Sequence, residues 1–298
     1  MTLLFTGASG FLGKNTLPLL SKYYQVSTLG LMDIDDYNVN ISENIPELKN
    51  RFNVVLHAAG KAHSIPKTEE EVKDFFSVNL QGTKNLCKAL EEVGVPDSFI
   101  FVSSVAVYGL EFGELITEEH PLTGSSPYAL SKIQTEEFLD VWCKKHGVKL
   151  GILRPSLISG PNPPGNLGAM IKGIKTGKYL SISGGKAKKS VLMVQDIANL
   201  VPLLAEKGGI YNACDTAHPS FHELETLIAS QLGKPHPKSI PYFIAKLIAC
   251  MGDLVGKNAP INSFKLDKIT KSLTFSNEKA RKELGWEPLN VLENFKIY

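Results

Sequence analysis

Tyr128-Ala129-Leu130-Ser131-Lys132 sets a phenol and an amine four residues apart. On a helix that spacing puts both on one face, so the ammonium sits near the phenol. A free phenol titrates at roughly 10, and a nearby cation lowers that value by favouring the phenolate. Such a tyrosine can exchange a proton with a hydroxyl near neutral pH. Tyr-x-x-x-Lys alone is a common accident, so its neighbours matter. Phe101-Val102-Ser103-Ser104-Val105-Ala106-Val107-Tyr108-Gly109 leaves the carboxyl end of a buried strand, where open α/β sheets place ligands. Ser104 there is placed to hold the oxygen that Tyr128 titrates; the plainer reading is a turn-forming serine. Asn79, in Val78-Asn79-Leu80-Gln81-Gly82-Thr83, interrupts an apolar helix face and points to a hydrogen-bonding role.

A second constellation lies at the start of the chain. Gly7-Ala8-Ser9-Gly10-Phe11-Leu12-Gly13 follows a predicted strand and opens a predicted helix. Gly7 permits a tight turn, Gly10 lets backbone approach a pyrophosphate, and Gly13 lets helix pack on strand. The helix N-terminus then offers unpaired N–H groups and partial positive charge to phosphates. This is the chemistry of a dinucleotide site, with a nicotinamide beside Tyr128 to carry hydride. The spacing G-x-x-G-x-x-G departs from G-x-G-x-x-G. An acid normally ends the second strand when NAD is bound. Here Gly30 stands at that position, followed by Asp33, Asp35 and Asp36. No Arg or Lys occurs between Lys22 and Lys49, which favours NAD, with NADP the alternative.

The elements that must position these groups alternate. Thr2–Thr6, Val26–Leu29, Asn53–His57, Phe99–Ser103 and Lys149–Arg154 read as strands. Phe11–Tyr24, Thr68–Val93 and Pro127–His146 read as helices, the second opened by a Thr68/Glu71 capping box. Pro18 should kink or shorten the first. Alternation with short connections predicts an α/β, doubly wound parallel sheet covered on both faces. Composition shifts near Pro155, so residues 1–155 form the sheet domain, with 190–215 returning to it through a strand at Ile210–Ala213. Residues 156–298 form a smaller, mostly helical and interleaved unit, with a helix at Asn166–Lys175 and another at Lys279–Leu284.

The 298 residues suffice for about two domains. Basic minus acidic residues is 32 − 30 = +2, too balanced for a nucleic-acid binder. No run of about 18 uncharged apolar residues exists for a membrane span. Leu3-Leu4-Phe5 enters the glycine turn without a basic leader, which reads against a signal peptide. Cys87, Cys143, Cys214 and Cys250 are scattered, as expected of reduced thiols in a cytoplasmic protein. Of the seven histidines only His218/His222 approach a ligand spacing; they bracket Pro219 and lack a third ligand, so no metal is expected. Pro241–Leu254 is apolar enough for a surface-lying helix, with Lys246 inside it; packing or dimerisation is preferred to membrane contact.

In order and at this spacing, the motifs resemble those of extended short-chain dehydrogenase/reductases of the NAD-dependent epimerase/dehydratase type, the UDP-galactose 4-epimerase-like nucleotide-sugar enzymes. The resemblance runs through Gly7–Gly13, His57-Ala58-Ala59-Gly60, Asn79, Ser103-Ser104, Tyr128/Lys132, Leu153-Arg154-Pro155 and Leu284-Gly285-Trp286-Glu287-Pro288. It implies a Rossmann domain for the dinucleotide and a C-terminal domain for a nucleotide sugar. It assigns Tyr128 as acid/base, Lys132 to the nicotinamide ribose, Ser104 to the sugar hydroxyl and Asn79 to the catalytic group. Ser9, Phe11, Leu12, Ala58, Ala59, Gly60, Ser103 and Pro155 join the glycines as cofactor contacts, with Asn40-Ile41 in the place of an Asp-Ile adenine contact. Lys61, His63, Ser104, Val105, Tyr128, Asn166, Leu167 and Lys189 are the implied substrate contacts, Lys189 replacing a diphosphate-gripping Arg. A homodimer through the Thr68–Val93 and Pro127–His146 helices also follows from the resemblance.

Three departures shape the expected activity. Val105 and Ala106 replace the Asp-Glu pair of 4,6-dehydratases and cannot transfer protons, so dehydration is disfavoured. Leu29 to Asn53 is short and lacks a helix between strands. Lysine at 189 supplies charge without a bidentate fork. The expectation is 4-epimerisation of a UDP-hexose through a transient 4-keto sugar. A 4-ketoreductase or dehydrogenase is the alternative, and a non-catalytic dinucleotide sensor the remote one.

Overall fold

The computed structural model describes residues 1–62, 64, 66–255 and 261–297. The chain opens with β1 (Thr2–Thr6), α1 (Phe11–Leu20), β2 (Gln25–Gly30), β3 (Tyr37–Asn38) and β4 (Val54–His57). Next come α2 (Glu69–Phe76), a π-helical turn (Ser77–Gln81), α3 (Gly82–Val93) and β5 (Ser98–Val102). A 3₁₀ turn (Val105–Tyr108) leads to β6 (Gly113–Ile116), α4 (Pro127–His146), β7 (Lys149–Pro155) and β8 (Leu157–Ser159). The remainder runs through α5 (Gly165–Lys175), β9 (Ser181–Ile182), β10 (Val191–Met193), α6 (Val194–Lys207), β11 (Gly209–Ala213) and α7 (Phe221–Gln231). It closes with β12 (Ser239–Ile240), α8 (Tyr242–Val255), α9 (Ser263–Thr270), β13 (Leu273–Phe275), α10 (Glu278–Leu284) and α11 (Val291–Asn294).

Seven strands form one parallel sheet in the order β11-β7-β5-β4-β1-β2-β3. Strand periodicity divides their side chains between two cores. Leu3, Phe5, Val54, Leu56, Ile100 and Val102 face one side, against Leu12 and Leu17 of α1 and Ile197, Leu200 and Leu204 of α6. Leu4, Val55, Phe99 and Phe101 face the other, against Leu86 and Leu90 of α3 and Leu139 and Trp142 of α4. Burial on both faces is why these strands read as continuous apolar runs. Ala280 and Trp286 from the C-terminal end also pack into the first core.

Details differ from the sequence reading. α1 stops at Leu20, two residues past Pro18, rather than at Tyr24. Pro18 lacks an N–H, and the chain turns off within that last turn. Thr68 caps α2 through Glu71 N–H, but the Glu71 carboxylate accepts from Lys67 N–H instead of closing a box on Thr68. The long helix is three pieces, because the π turn interrupts it around Asn79.

Beyond the sheet, Leu167, Met170, Ile174, Leu224, Ile228, Val291 and Phe295 close a core among α5, α7 and α11. In α8 the small residues Ala245 and Ala249 are fully buried against Leu266 and Ile182, while the large ones point outward. Among the described residues no helix is long and apolar enough to cross a membrane.

Candidate functional site

The carboxyl ends of β1, β4 and β5 build the site. Gly7 sits at φ +80°, and an added Cβ would lie 2.7 Å from Ala59 N. The turns after β1 and β4 therefore meet backbone to backbone, Ala58-Ala59-Gly60 forming the second wall. At Gly13 a Cβ would stand 2.1 Å from the Ala8 carbonyl oxygen, so only glycine lets α1 seat this close. Gly10 has an ordinary φ of −77°; its contribution is small size, not conformational freedom. No side chain caps α1, which leaves its first-turn N–H groups, around Phe11 and Leu12, to a ligand or water. That open helix start beside Ser9 fits a pyrophosphate. Gly60 completes the cradle: a Cβ there would come within 3.0 Å of Asn79 Oδ1 and 3.3 Å of Lys132 Nζ.

A hydrogen-bonded chain fixes the strand ends. Thr83 Oγ1 donates to the Asn79 carbonyl at 2.6 Å, so it must accept from His57 Nε2–H at 2.8 Å. His57 Nδ1 then accepts from Thr6 Oγ1 at 2.6 Å, and Thr6 Oγ1 accepts from Ala59 N–H at 3.2 Å. Burial first, and the Lys132 charge second, hold the imidazolium down to about 3. His57 is thus a neutral, fully buried brace between β1, β4 and the helix.

Asn79 works through all its polar atoms. Its Oδ1 accepts from Lys61 N–H at 2.7 Å, and its Nδ2 donates to Ser131 Oγ at 2.8 Å and to the Lys61 carbonyl at 3.2 Å. Its carbonyl also accepts from Thr135 Oγ1 at 3.2 Å. Asn79 therefore clamps the turn after β4 to α4. Ser131, Thr83 and Thr135 were not singled out from sequence; for Ser131 and Thr135, the four-residue helical spacing of two hydroxyls on either side of Lys132 was the available signal.

Ser104 caps the 3₁₀ turn by accepting from Ala106 N–H at 3.1 Å, which leaves its own hydrogen for Tyr128. Burial raises the half-buried Tyr128 phenol above 10, and the Ser104 hydroxyl pulls it the other way. The lowering by Lys132 that the spacing predicts is not among the influences on the phenol. Lys132 Nζ instead donates to the Val102 carbonyl at 2.9 Å and lies 4.5 Å from the centre of the Phe101 ring. Burial brings Lys132 itself down to about 8, opposed by Glu136 one turn along.

Other expected contacts have different jobs. The buried Ser103 hydroxyl donates to Glu136, which also binds Arg154 through Oε2 at 2.6 Å and Oε1 at 3.1 Å. Arg154 continues to Tyr108 Oη at 3.1 Å. Ser103 thus serves a buried ion pair that sequence reasoning missed, its hydroxyl hydrogen committed to Glu136. Pro155 is buried in β7 beside Ala213. Lys61 Nζ pairs with Asp74 at 2.6 Å. Asn40 Oδ1 is held by Ser42, and Ile41 is buried against Gly82. Leu167 packs in the C-terminal core, leaving only its backbone to a ligand, whereas Asn166 is exposed at the start of α5. Lys189 Nζ donates to the Lys271 carbonyl at 3.0 Å, and burial lowers it to about 8. Val105 opens the 3₁₀ turn beside Ser104. His63 lies outside the described residues.

Of the acids after β2, Asp36 accepts from Thr28 N–H at 2.7 Å and Asp33 from Asn38 at 2.9 Å. Asp35 folds back on the strand end, where a Cβ at Gly30 would lie 2.4 Å from its Oδ2. It stands in the space a side chain at position 30 would take. Elsewhere, His218 bonds Ser190 at 3.0 Å. On and beyond α7, His222, Glu225 and His236 each bring a ligand atom within 4.8 Å of the others.

Comparison with known proteins agrees with this arrangement. Residues 3–214 match the model of the NAD dependent epimerase/dehydratase family. The chain is 29% identical to the UDP-glucose 4-epimerase of Vibrio cholerae, over 99% of this chain and 93% of that one. It is 28% identical to an Escherichia coli N-acetyl-alpha-D-glucosaminyl-diphospho-ditrans,octacis-undecaprenol 4-epimerase, over 93% and 88%. The fold matches Thermotoga maritima UDP-glucose 4-epimerase with UDP-glucose at a TM-score of 0.72 and 22% identity, covering 98% and 96% of the two chains. RMD from Pseudomonas aeruginosa, complexed with NADPH, gives 0.74 at 22% identity with the same coverage. With a match spanning the sheet and every strand end that builds the site, this chain belongs to the NAD dependent epimerase/dehydratase family.

Proposed function

We propose that the protein is an NAD-dependent 4-epimerase of a diphosphate-linked sugar, a UDP-hexose being the first substrate to test. The observation that carries the reading is the convergence of Ser104, Tyr128 and Lys132 beside an uncapped helix start and the Gly60 cradle. Bound NAD supplies reversible two-electron chemistry at a sugar carbon. Gly7–Gly13 and the first turn of α1 would hold its pyrophosphate, Asp35 the adenosine ribose, and Lys132 the nicotinamide ribose. Tyr128 Oη exchanges the proton of the C4 hydroxyl, with the Ser104 hydroxyl fixing the same oxygen. Asn79 keeps Gly60 and Lys61 in register with α4. Val105 and Ala106 leave this turn with no group to drive water elimination. The 156–298 unit would hold the sugar diphosphate, with Asn166 and the backbone at Leu167 as contacts. We place the enzyme in the cytoplasm, as a homodimer through α2–α3 and α4.

A 4-ketoreductase is the second reading, and it uses the same three side chains. Tyr128 is protonated at neutral pH in the free protein, the form a 4-ketoreductase needs to deliver a proton to a nascent alkoxide. The carrier of the sugar is a separate choice. The Escherichia coli relative is named for a polyprenyl diphosphate, and the outward apolar face of α8 supports the same carrier here.

The test is a screen of UDP-, dTDP- and GDP-sugars and a polyprenyl diphosphate sugar, with NAD or NADPH, read by product chromatography. Tyr128→Phe should abolish turnover and keep cofactor binding; unchanged turnover would remove Tyr128 from the mechanism. An epimerase purifies with retained cofactor, whereas a reductase exchanges it.

A further inference from the structure

The apolar side chains of α8 are arranged inside out. Ala245 and Ala249 face the protein and are fully buried, while Phe243 is 64%, Leu247 65%, Met251 69% and Leu254 90% exposed. With Ile244 and Ile248 they fall within an arc of roughly 140° on a helix of 3.6 residues per turn. A helix that buried its apolar stripe in the protein would show the opposite order. Exposed aromatics stand nearby under lysine ammoniums: Lys268 Nζ lies 4.4 Å from the centre of Phe264, and Lys271 Nζ 5.0 Å from that of Phe112.

The surrounding charge is one-sided. Lys186, Lys238, Lys246, Lys265, Lys268 and Lys271 lie on α8, on or just after α9, or at the strand and cavity beside them, against the acids Asp253, Asp267 and Glu111. That excess of three exceeds the net +2 of the whole chain, so the rest is slightly acidic. Lys186 and Lys271 also line a cavity of about 260 Å³ beside Tyr242, at the start of the helix.

We propose that this face docks on an anionic lipid surface, with α8 lying in the plane of the interface and the lysines meeting the headgroups. A broad apolar face flanked by basic residues and aromatics is what such a surface binds. A second copy fits less well, because a twofold axis through α8 would set two lysine-rich faces against each other. The proposal stands on this surface alone and does not need the choice of substrate.

Vesicle co-sedimentation of the full chain tests it. Phosphatidylcholine vesicles with roughly one third phosphatidylglycerol should sediment the protein, and vesicles of phosphatidylcholine alone at least about tenfold less. A Leu247→Glu/Met251→Glu variant should lose about tenfold or more in binding while keeping its melting midpoint, since both side chains are exposed. A Phe243→Trp reporter should shift to the blue on binding. No sedimentation at low salt, equal binding by the double variant, or a wild-type dimer that the double variant converts to monomer would each overturn the proposal.

Discussion

His57→Gln isolates one titration that the fold prevents. The imidazole is fully buried between Thr6 and Thr83, with its value held near 3 against 6.5 in an exposed histidine. Its folded value is depressed, so its contribution to stability is complete above about 6.5 and is lost as pH falls toward 3. The unfolded chain takes up a proton in that window and the folded one does not. At about 1.4 kcal/mol per pH unit, descending from pH 7 to pH 4.5 should cost wild type about 2.5 kcal/mol through this residue. Glutamine carries no such titration. Urea unfolding of both proteins across that range, plotted as the difference in free energy, should therefore slope toward the variant as pH falls. The constant cost of disturbing Thr6 and Thr83 shifts the whole plot but leaves its slope alone. A flat difference would mean that the imidazole is free to charge in place, and the neutral Nε2–H assignment would fall with it.

Gly7→Ala should destabilise the fold by about 1–3 kcal/mol, from the +80° φ and the contact with Ala59, and should weaken NAD binding in a titration. Arg154→Met strands the Glu136 carboxylate and should cost about 3–5 kcal/mol in chemical denaturation. Burial raises Asp215 to about 6, against hydrogen bonds from His218 and Val291 N–H groups. Its folded value lies above the unfolded one, so this carboxylate penalises the fold at neutral pH, and the penalty lifts as pH falls from 6 toward 3.8. Asp215→Asn should remove that slope, worth about 2 kcal/mol between pH 7 and pH 4.5, in urea unfolding compared at those two values.

The sheet was legible because strands buried on both faces write themselves as apolar runs such as Val54-Val55-Leu56, and Gly7 and Gly13 carry their reasons in their lack of a side chain. The Tyr128/Lys132 pair was legible as a spacing, but not its electrostatics: four residues on a helix say nothing of the Val102 carbonyl that holds the amine. Ser103 and Glu136 meet across 33 positions, and Thr6, His57 and Thr83 across a strand and a helix, so no local pattern announces them. Lys189 matched a family position, yet the Lys271 carbonyl that engages it comes from a segment 82 residues later. Side chains that serve the ladder of strands are readable one element at a time; those that serve a junction need all its partners.

The π turn at Ser77–Gln81 has a consequence for how the helix around Asn79 tolerates change. A widened turn sets the face of α2 out of phase with that of α3 by about one residue, roughly 100° of rotation. Phe75 can therefore lie against Tyr128 while Thr83 reaches back to His57. Removing a single residue here would let an ordinary helix form, tidier in its own hydrogen bonds, and rotate one of those two partners into solvent.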